Sequence, residues 1–416
     1  MTDYDWIVIG AGITGSALAY ELSKKSFQVL LLEKDPIPDN ATCYSYGGLA
    51  YWSGTTELTR QLGREGIELH RNLSEELEAD TEFRELDLVL TIEAKDDPQT
   101  VAKSYSQFAI TPELLDVKAA CELEPLLNPK AIAGVLKLPH GHIHSQKTAK
   151  AYQQAFRRRG GEIKYEQVIE LIRQENRSEG VKTAKNTYYA TNTVVCAGGL
   201  TRSLLHQVGL SVPNYFTHAQ LIKTPPVDIK LRTLVMPAVQ QRFALEAMAS
   251  NSEIQPLWDK PNSTSVASIF DAGAIQFLDG SFCIGQISAL VTDPKAKLET
   301  STAEVLIRNR IARILPSLSK IPGTCHHCLV AFTNKSIALV GNLKNKSAEG
   351  KNRQAPSFNG GEPVTGIYLF SGFTSTLVFA PPLARRFANW VVGEEDEILE
   401  LLNNQLTTKP SLIGNS

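Results

Sequence analysis

The chain has 416 residues, with 42 Lys and Arg against 44 Asp and Glu and a formal net charge of −2. That balance gives no electrostatic case for nucleic acid or an anionic membrane surface as the main partner. Hydrophobic residues make up 43% and charged residues 21%, the proportions of a folded globular chain long enough for one oversized or two ordinary domains. Six cysteines (Cys43, Cys121, Cys196, Cys283, Cys325, Cys328) lie mostly in apolar contexts, which suits a reducing compartment better than a disulfide framework. No basic leader precedes the first apolar run and no run is long enough to span a bilayer, so a cytoplasmic location is expected.

The first element carries the strongest signal. Trp6, Ile7, Val8 and Ile9 form an apolar run without a polar break, as in a strand buried on both faces. Gly10, Ala11, Gly12, Ile13, Thr14 and Gly15 follow at once, then a helical stretch over 16–25, then a second apolar run, 29–32, closed by Glu33 and Lys34. Gly10 permits the tight turn, Gly12 lets a pyrophosphate approach the backbone, and Gly15 lets helix and strand pack closely. The amides at the helix start then face the phosphates. Glu33 can accept from both ribose hydroxyls. It would repel a 2′-phosphate by about 4 kcal/mol at ~4 Å in an effective dielectric of ~20. The order strand, glycines, helix, strand, acid predicts dinucleotide binding. It does not separate FAD from NAD.

Further along, a turn cluster over 35–40 leads to a small, polar loop holding Thr42, Ser45, Gly47 and Gly48. The patterns predict a charged helix over 55–79, a strand over 86–93, short helices over 111–127, a strand over 134–138 and a helix over 147–159. Strands follow at 162–165 and 168–172. The run 193–199 repeats the opening logic of buried strand then glycines, with a helix over 201–208. Residues 215–285 alternate strands and turns, 303–315 is helical, and 328–341 reads as a strand pair. Segment 344–363 has no apolar period and reads as a flexible surface insertion. A last buried strand over 366–370 leads into a helix opening at 371–376. The nucleotide domain is therefore discontinuous, and β-rich pieces between its parts form a second domain.

The order and spacing of these motifs resemble the family of FAD-dependent amine oxidoreductases that includes D-amino acid oxidase, glycine oxidase, monomeric sarcosine oxidase and the D-amino acid dehydrogenases. The resemblance rests on VIGAGITG with Glu33, the Gly47-Gly48 loop, LEPLL…GVLKLPHGHI, VVCAGG and GIYLFSGF. It implies an α/β fold (α+β overall), with a Rossmann-like FAD-binding domain from 1–80, 141–214 and 325–405 and a substrate domain from 81–140 and 215–324. It implies FAD as cofactor. The first motif would hold the ADP half, and Thr42, Ser45, Gly47 and Gly48 would lie against pyrophosphate and flavin. Val168 would meet adenine through its backbone, and Ala197 and Gly198 would line the cofactor. Gly372, Phe373, Thr374, Ser375, Thr376 and Leu377 would offer amides to the flavin edge that becomes negative on reduction. Two places depart from the family. Its substrate-carboxylate arginine falls near Val330 here, leaving Arg60, Arg64 or Arg242 to reach in. Its glycine-rich helix opening is Thr374-Ser375-Thr376.

The implied function is oxidation of the C–N bond of a small amine or amino acid by hydride transfer to flavin N5, with oxygen or a quinone or carrier as acceptor. The alternatives are oxidation of a hydroxy acid, or an FAD-binding subunit without turnover. No catalytic dyad stands out. Tyr46, Tyr51 and Trp52 are pocket candidates beside the glycine pair. Cys325, His326, His327 and Cys328 lack the second ligand pair of a structural zinc site, so no metal is expected. By resemblance to sarcosine oxidases Cys328 falls near the register of a covalent flavin link. His140, His142 and His144 read as solvated or capping loop residues, Arg157, Arg158 and Arg159 as a solvated helix end, and 394–397 as a charged surface segment.

Overall fold

A computed structural model describes residues 3–174, 177–208, 210–239, 241–260, 264–334, 337–343 and 365–407; the expected insertion at 344–363 lies outside them. Strand β1 (Tyr4–Ile9) leads through helix α1 (Ile13–Lys24) to β2 (Val29–Glu33). The short β3 (Gly48–Leu49) is followed by α2 (Glu57–Glu76), β4 (Arg84–Glu93), α3 (Pro98–Ser104), β5 (Glu113–Leu115), α4 (Val117–Leu123) and the long β6 (Ile132–His142). Helix α5 (Ser145–Arg158) precedes β7 (Glu162–Tyr165) and a meander of β8 (Val168–Gln174), β9 (Arg177–Thr183) and β10 (Thr187–Val195). Then come α6 (Thr201–His206), β11 (Asn214–Lys223), β12 (Leu234–Pro237), α7 (Gln241–Ala249), β13 (Ser265–Gln276), β14 (Phe282–Val291) and α8 (Thr300–Ile314). The described chain closes with β15 (Thr324–Thr333), β16 (Leu339–Asn342), β17 (Ile367–Ser371), α9 (Thr376–Trp390) and α10 (Glu397–Thr407).

Among the described residues the strands form two sheets. The first runs β16-β17-β10-β1-β2-β7, with β8 and β9 hung from β10. From β17 to β7 its strands are parallel. Alternation along β1 sends Trp6 and Val8 into one core with α1, α5 and α9, and Ile7 and Ile9 into another with Leu30, Leu32 and Leu171. That two-sided burial is why the strand reads as an unbroken apolar run.

The second sheet runs β15-β11-β14-β13-β12-β4-β6-β3, with β5 paired to β6. One face buries Ile222, Phe282 and Ile284 against Ile307 and Ile311 of α8. The opposite face carries Leu136, Leu138, Leu221, Ile275 and Cys283 and packs with Trp52, Tyr105 and Phe108.

Helix α9 contains Pro381 and Pro382. Neither has an N–H, so the carbonyls of Leu377 and Val378 lose their i+4 donors. His70 of α2 serves the first, with Nε2 2.7 Å from the Leu377 oxygen. Burial lowers the His70 pKa to about 4, and a carbonyl can only accept, so Nε2 carries the proton of a neutral ring. Gly66 brings its backbone against the second: a Cβ there would stand 2.2 Å from the Val378 oxygen.

Several expectations need correction. The strands read as a pair over 328–341 do not pair. β15 joins β11 in the second sheet and β16 joins β17 in the first, so a boundary at residue 325 assigns β15 to the wrong sheet. Within 215–285 the helix α7 appears, and within 111–127 the strand β5 precedes a single helix. His140 and His142 are not solvated; both are buried in β6, while His144 caps α5. The charged segment 394–397 runs into α10, which docks through Leu399 and Leu402.

Candidate cofactor and substrate site

The carboxyl end of β1 turns at Gly10, whose φ is +102°. A Cβ at Gly15 would lie 1.9 Å from the Gly10 carbonyl oxygen, so helix and turn touch backbone to backbone. Gly12, the N-cap of α1, has no side chain with which to cap the helix. A Cβ there would meet only Thr42 Oγ1, at 3.2 Å. The Ile13 amide donates to Thr42 Oγ1 at 3.0 Å, and Thr42 is itself held by Asn40 through its amide. Glu33 ends β2 with its carboxylate buried. It accepts from the amides of Ala11 at 2.7 Å, Lys34 at 2.9 Å and Asp35 at 3.3 Å. A helix start whose N-cap is a glycine, beside an acid at the end of the next strand, fits the diphosphate and ribose of an adenine dinucleotide.

The 42–48 loop links the two sheets. Ser45 Oγ accepts from the Gly47 amide at 3.1 Å. Gly47 has φ +75° and lies on the Ile143 carbonyl, and Gly48 pairs with His142 as part of β3. Lys223 Nζ donates to the Cys43 carbonyl at 3.2 Å, and Tyr44 stacks on His326 with ring centroids 4.6 Å apart. A cleft of about 610 Å³ opens between this loop and the end of β11.

Across the first sheet, Gly198 has φ +54° and open space where a Cβ would stand. Its carbonyl accepts from Asn214 Nδ2 at 3.1 Å, and Asn214 Oδ1 accepts from Ser371 Oγ at 3.0 Å. Gly372 follows with φ +66°, the Thr374 amide donates to Ile337, and Ser375 takes φ +45° as the N-cap of α9. No side chain caps α9, which leaves its opening amides for an outside acceptor. Phe373 and Leu377 are buried in the first core. Val168, at the start of β8, packs against the other core of that sheet.

The three aromatic pocket candidates separate. Tyr46 and Trp52 share the cluster on the second sheet, whereas Tyr51 packs with the first core near α2. Trp52 Nε1 donates to His140 Nδ1 at 3.0 Å, so the neutral His140 keeps its proton on Nε2. That nitrogen lies 2.7 Å from where a Gly48 Cβ would be. Burial lowers the His140 pKa to about 3.

Val330 stands on β15 opposite Thr217. The three arginines named as replacements for a cation there are engaged elsewhere. Arg60 donates to the Gln107 carbonyl, Arg64 pairs with Glu57, and Arg242 pairs with Glu246. Cys328 is buried, and burial pushes its thiol up to about 12, which keeps it protonated. Alternation along β15 puts Cys325 and His327 on one face and His326 and Cys328 on the other. Among the described residues no group of three His, Cys, Asp or Glu side chains is placed to hold a metal. No helix among them is long and apolar enough to cross a membrane.

Sequence reasoning missed His70, whose long-range contact with the Leu377 carbonyl left no signal in the sequence.

The family described as FAD dependent oxidoreductase (DAO) matches residues 5–390. Monomeric sarcosine oxidase from Streptomyces avermitilis is 32% identical over 222 residues, 50% of this chain and 55% of that protein. Glycine oxidase from Geobacillus kaustophilus is 27% identical over 223 residues, 51% of this chain and 59% of that protein. The chain spans about half the length of these relatives. Among solved structures, the glycine oxidase from Geobacillus kaustophilus superposes with a TM-score of 0.74 at 18% identity, covering 98% of this chain and 99% of that one. NikD, an unusual amino acid oxidase of nikkomycin biosynthesis, gives 0.70 at 17% identity, covering all of both chains.

Proposed function

Because this chain belongs to the FAD-dependent oxidoreductase family of D-amino acid oxidase type, we propose that it oxidises the C–N bond of a small amine on FAD held between the two sheets. FAD, when bound, would supply the acceptor for a hydride from the carbon beside the substrate nitrogen, leaving an imine for water to hydrolyse. The chain's own part is position and electrostatics. The α1 start and Glu33 hold the ADP half. The 42–48 loop and Gly198 enclose the middle, and the uncapped start of α9 offers amides where negative charge gathers on reduction. The observation that carries this reading is the 42–48 loop, which joins the dinucleotide turn through Thr42 and the second sheet through Gly48. Sarcosine and glycine are the first substrates to try, from the names of the relatives. Oxygen or a quinone or carrier then takes the electrons.

The test is to purify the protein, load FAD and titrate it anaerobically with sarcosine, glycine, N-methylated alkylamines and lactate. Bleaching of the flavin band by an amine is expected. Bleaching by lactate alone, or by nothing, overturns the reading. Acid precipitation should leave the yellow colour in the supernatant, because the enclosed Cys328 thiol is a poor nucleophile; flavin in the pellet would reverse that assignment.

A further inference from the structure

Strand β6 alternates between two environments. Gly141 turns to the first core, where a Cβ would meet Ile67 and Leu49. His140 and His142 turn the other way with Leu136 and Leu138, to the face that packs with Trp52. His140 is only 4% exposed, and its two nitrogens are used differently. The Trp52 indole can only donate, so Nδ1, 3.0 Å away, accepts, and the ring carries its single proton on Nε2. That N–H has no acceptor among the described residues.

It is not shut in either. The enclosed atoms without partners include the Tyr46 hydroxyl and both nitrogens of His142, but not His140 Nε2. A donor taken out of bulk water and left unpaired costs about 1–3 kcal/mol. Here the direction of that donor is fixed: Trp52 holds the ring, and Phe108 meets the indole edge-on with centroids 5.5 Å apart. Nε2 faces the glycine pair. A Cβ on Gly48 would stand 2.7 Å from it, with Leu234 Cδ1 at 3.5 Å. Any side chain at residue 48 would cover the N–H, and glycine leaves it open. Packing against Gly48 accounts for the ring but not for an unpaired proton aimed at the loop.

We propose that the His140 Nε2–H, held by Trp52, donates a hydrogen bond to the ring carbonyl of FAD that α9 does not serve, and so favours the electron-richer, reduced flavin. The proposal rests on the placement of FAD between the two sheets given under the proposed function. Nε2 already holds its proton and Nδ1 is occupied, so His140 positions and tunes the cofactor and takes no proton from substrate. The measurement is the midpoint potential of the FAD-loaded protein, by anaerobic reduction against a reference dye, beside its affinity for oxidised FAD. His140→Phe should weaken reduced FAD relative to oxidised FAD by about ten-fold, a drop of about 30 mV for a two-electron couple. His140→Gln keeps an N–H at the Nε2 position and should recover most of the loss. Trp52→Phe lets the ring move its proton to Nδ1 and should cost about three-fold, or about 15 mV; it also stands in should His140→Phe fail to fold. An unchanged potential in His140→Phe, with stability alone reduced, leaves only a packing role and overturns the proposal. Equal drops in His140→Phe and His140→Gln overturn it too. A wild type that takes up no FAD removes both this hydrogen bond and the reaction. If FAD binds and no amine bleaches it, while the potential still falls in His140→Phe, the reaction falls and the hydrogen bond stands.

Discussion

Gly12 and Gly15 lie three residues apart on the same turn and should respond to the same substitution in opposite ways. A methyl at Gly12 projects beside Thr42 Oγ1 into the space a diphosphate would fill. Gly12→Ala should therefore lower FAD affinity by at least about ten-fold while changing the stability of the FAD-free protein by about 1 kcal/mol or less. A methyl at Gly15 would collide with the Gly10 carbonyl at 1.9 Å. Gly15→Ala should destabilise the fold by about 3 kcal/mol, because backbone has to move. Flavin fluorescence titration and urea unfolding read the two effects separately. Equal losses of affinity and stability in both variants would contradict this division. The dinucleotide turn was legible in sequence because each of its demands is local: a turn, a close approach, an acid at a fixed interval. The contact of Trp52 with His140 was not, because it joins residues 88 positions apart.

Elements were legible to the extent that their partners were near in sequence. The β1–α1–β2 unit and the opening of α9 follow from runs of a few residues. α7 did not show, since nine residues inside a strand-rich region give too little helical period. β15 and β16 were readable as strands but not as members of different sheets. That choice is made by β11 and β17, which lie over a hundred and about thirty residues away respectively. The histidines of β6 read as loop residues because their burial comes from β4, Trp52 and Phe277. The α2–α9 contact makes a prediction at this scale. His70→Leu leaves the Leu377 carbonyl buried without a donor and should cost about 1–3 kcal/mol. His70→Gln keeps an N–H and should lose less. If α9 holds the flavin through its opening amides, His70→Leu should also release FAD faster. Identical unfolding midpoints for the two variants would remove His70 from this role.

For the molecule as a whole, buried histidines set the acid limit. Burial is the first cause that lowers His70 to about 4 and His140 and His142 to about 3, against about 6.5 for an unfolded chain. The folded form therefore binds fewer protons than the unfolded form across that window. Stability is complete above about pH 6.5 and falls as pH drops toward the folded values, below which these groups add no further loss. Each should contribute a slope of about 1.4 kcal/mol per pH unit. Urea midpoints should be level from pH 7.5 to 6.5 and fall steadily from pH 6.5 to 5, and His70→Gln should flatten the slope by one proton. A profile level across that interval would refute the assignment.

The paired prolines of α9 have one more consequence. A segment that cannot complete its first turn alone depends on residues 66 and 70, made some three hundred positions earlier in synthesis. Maturation of the nascent polypeptide should therefore be limited by the meeting of its two distant ends, and competence to take up the yellow prosthetic group should arrive only after that meeting, however early the opening turn has formed.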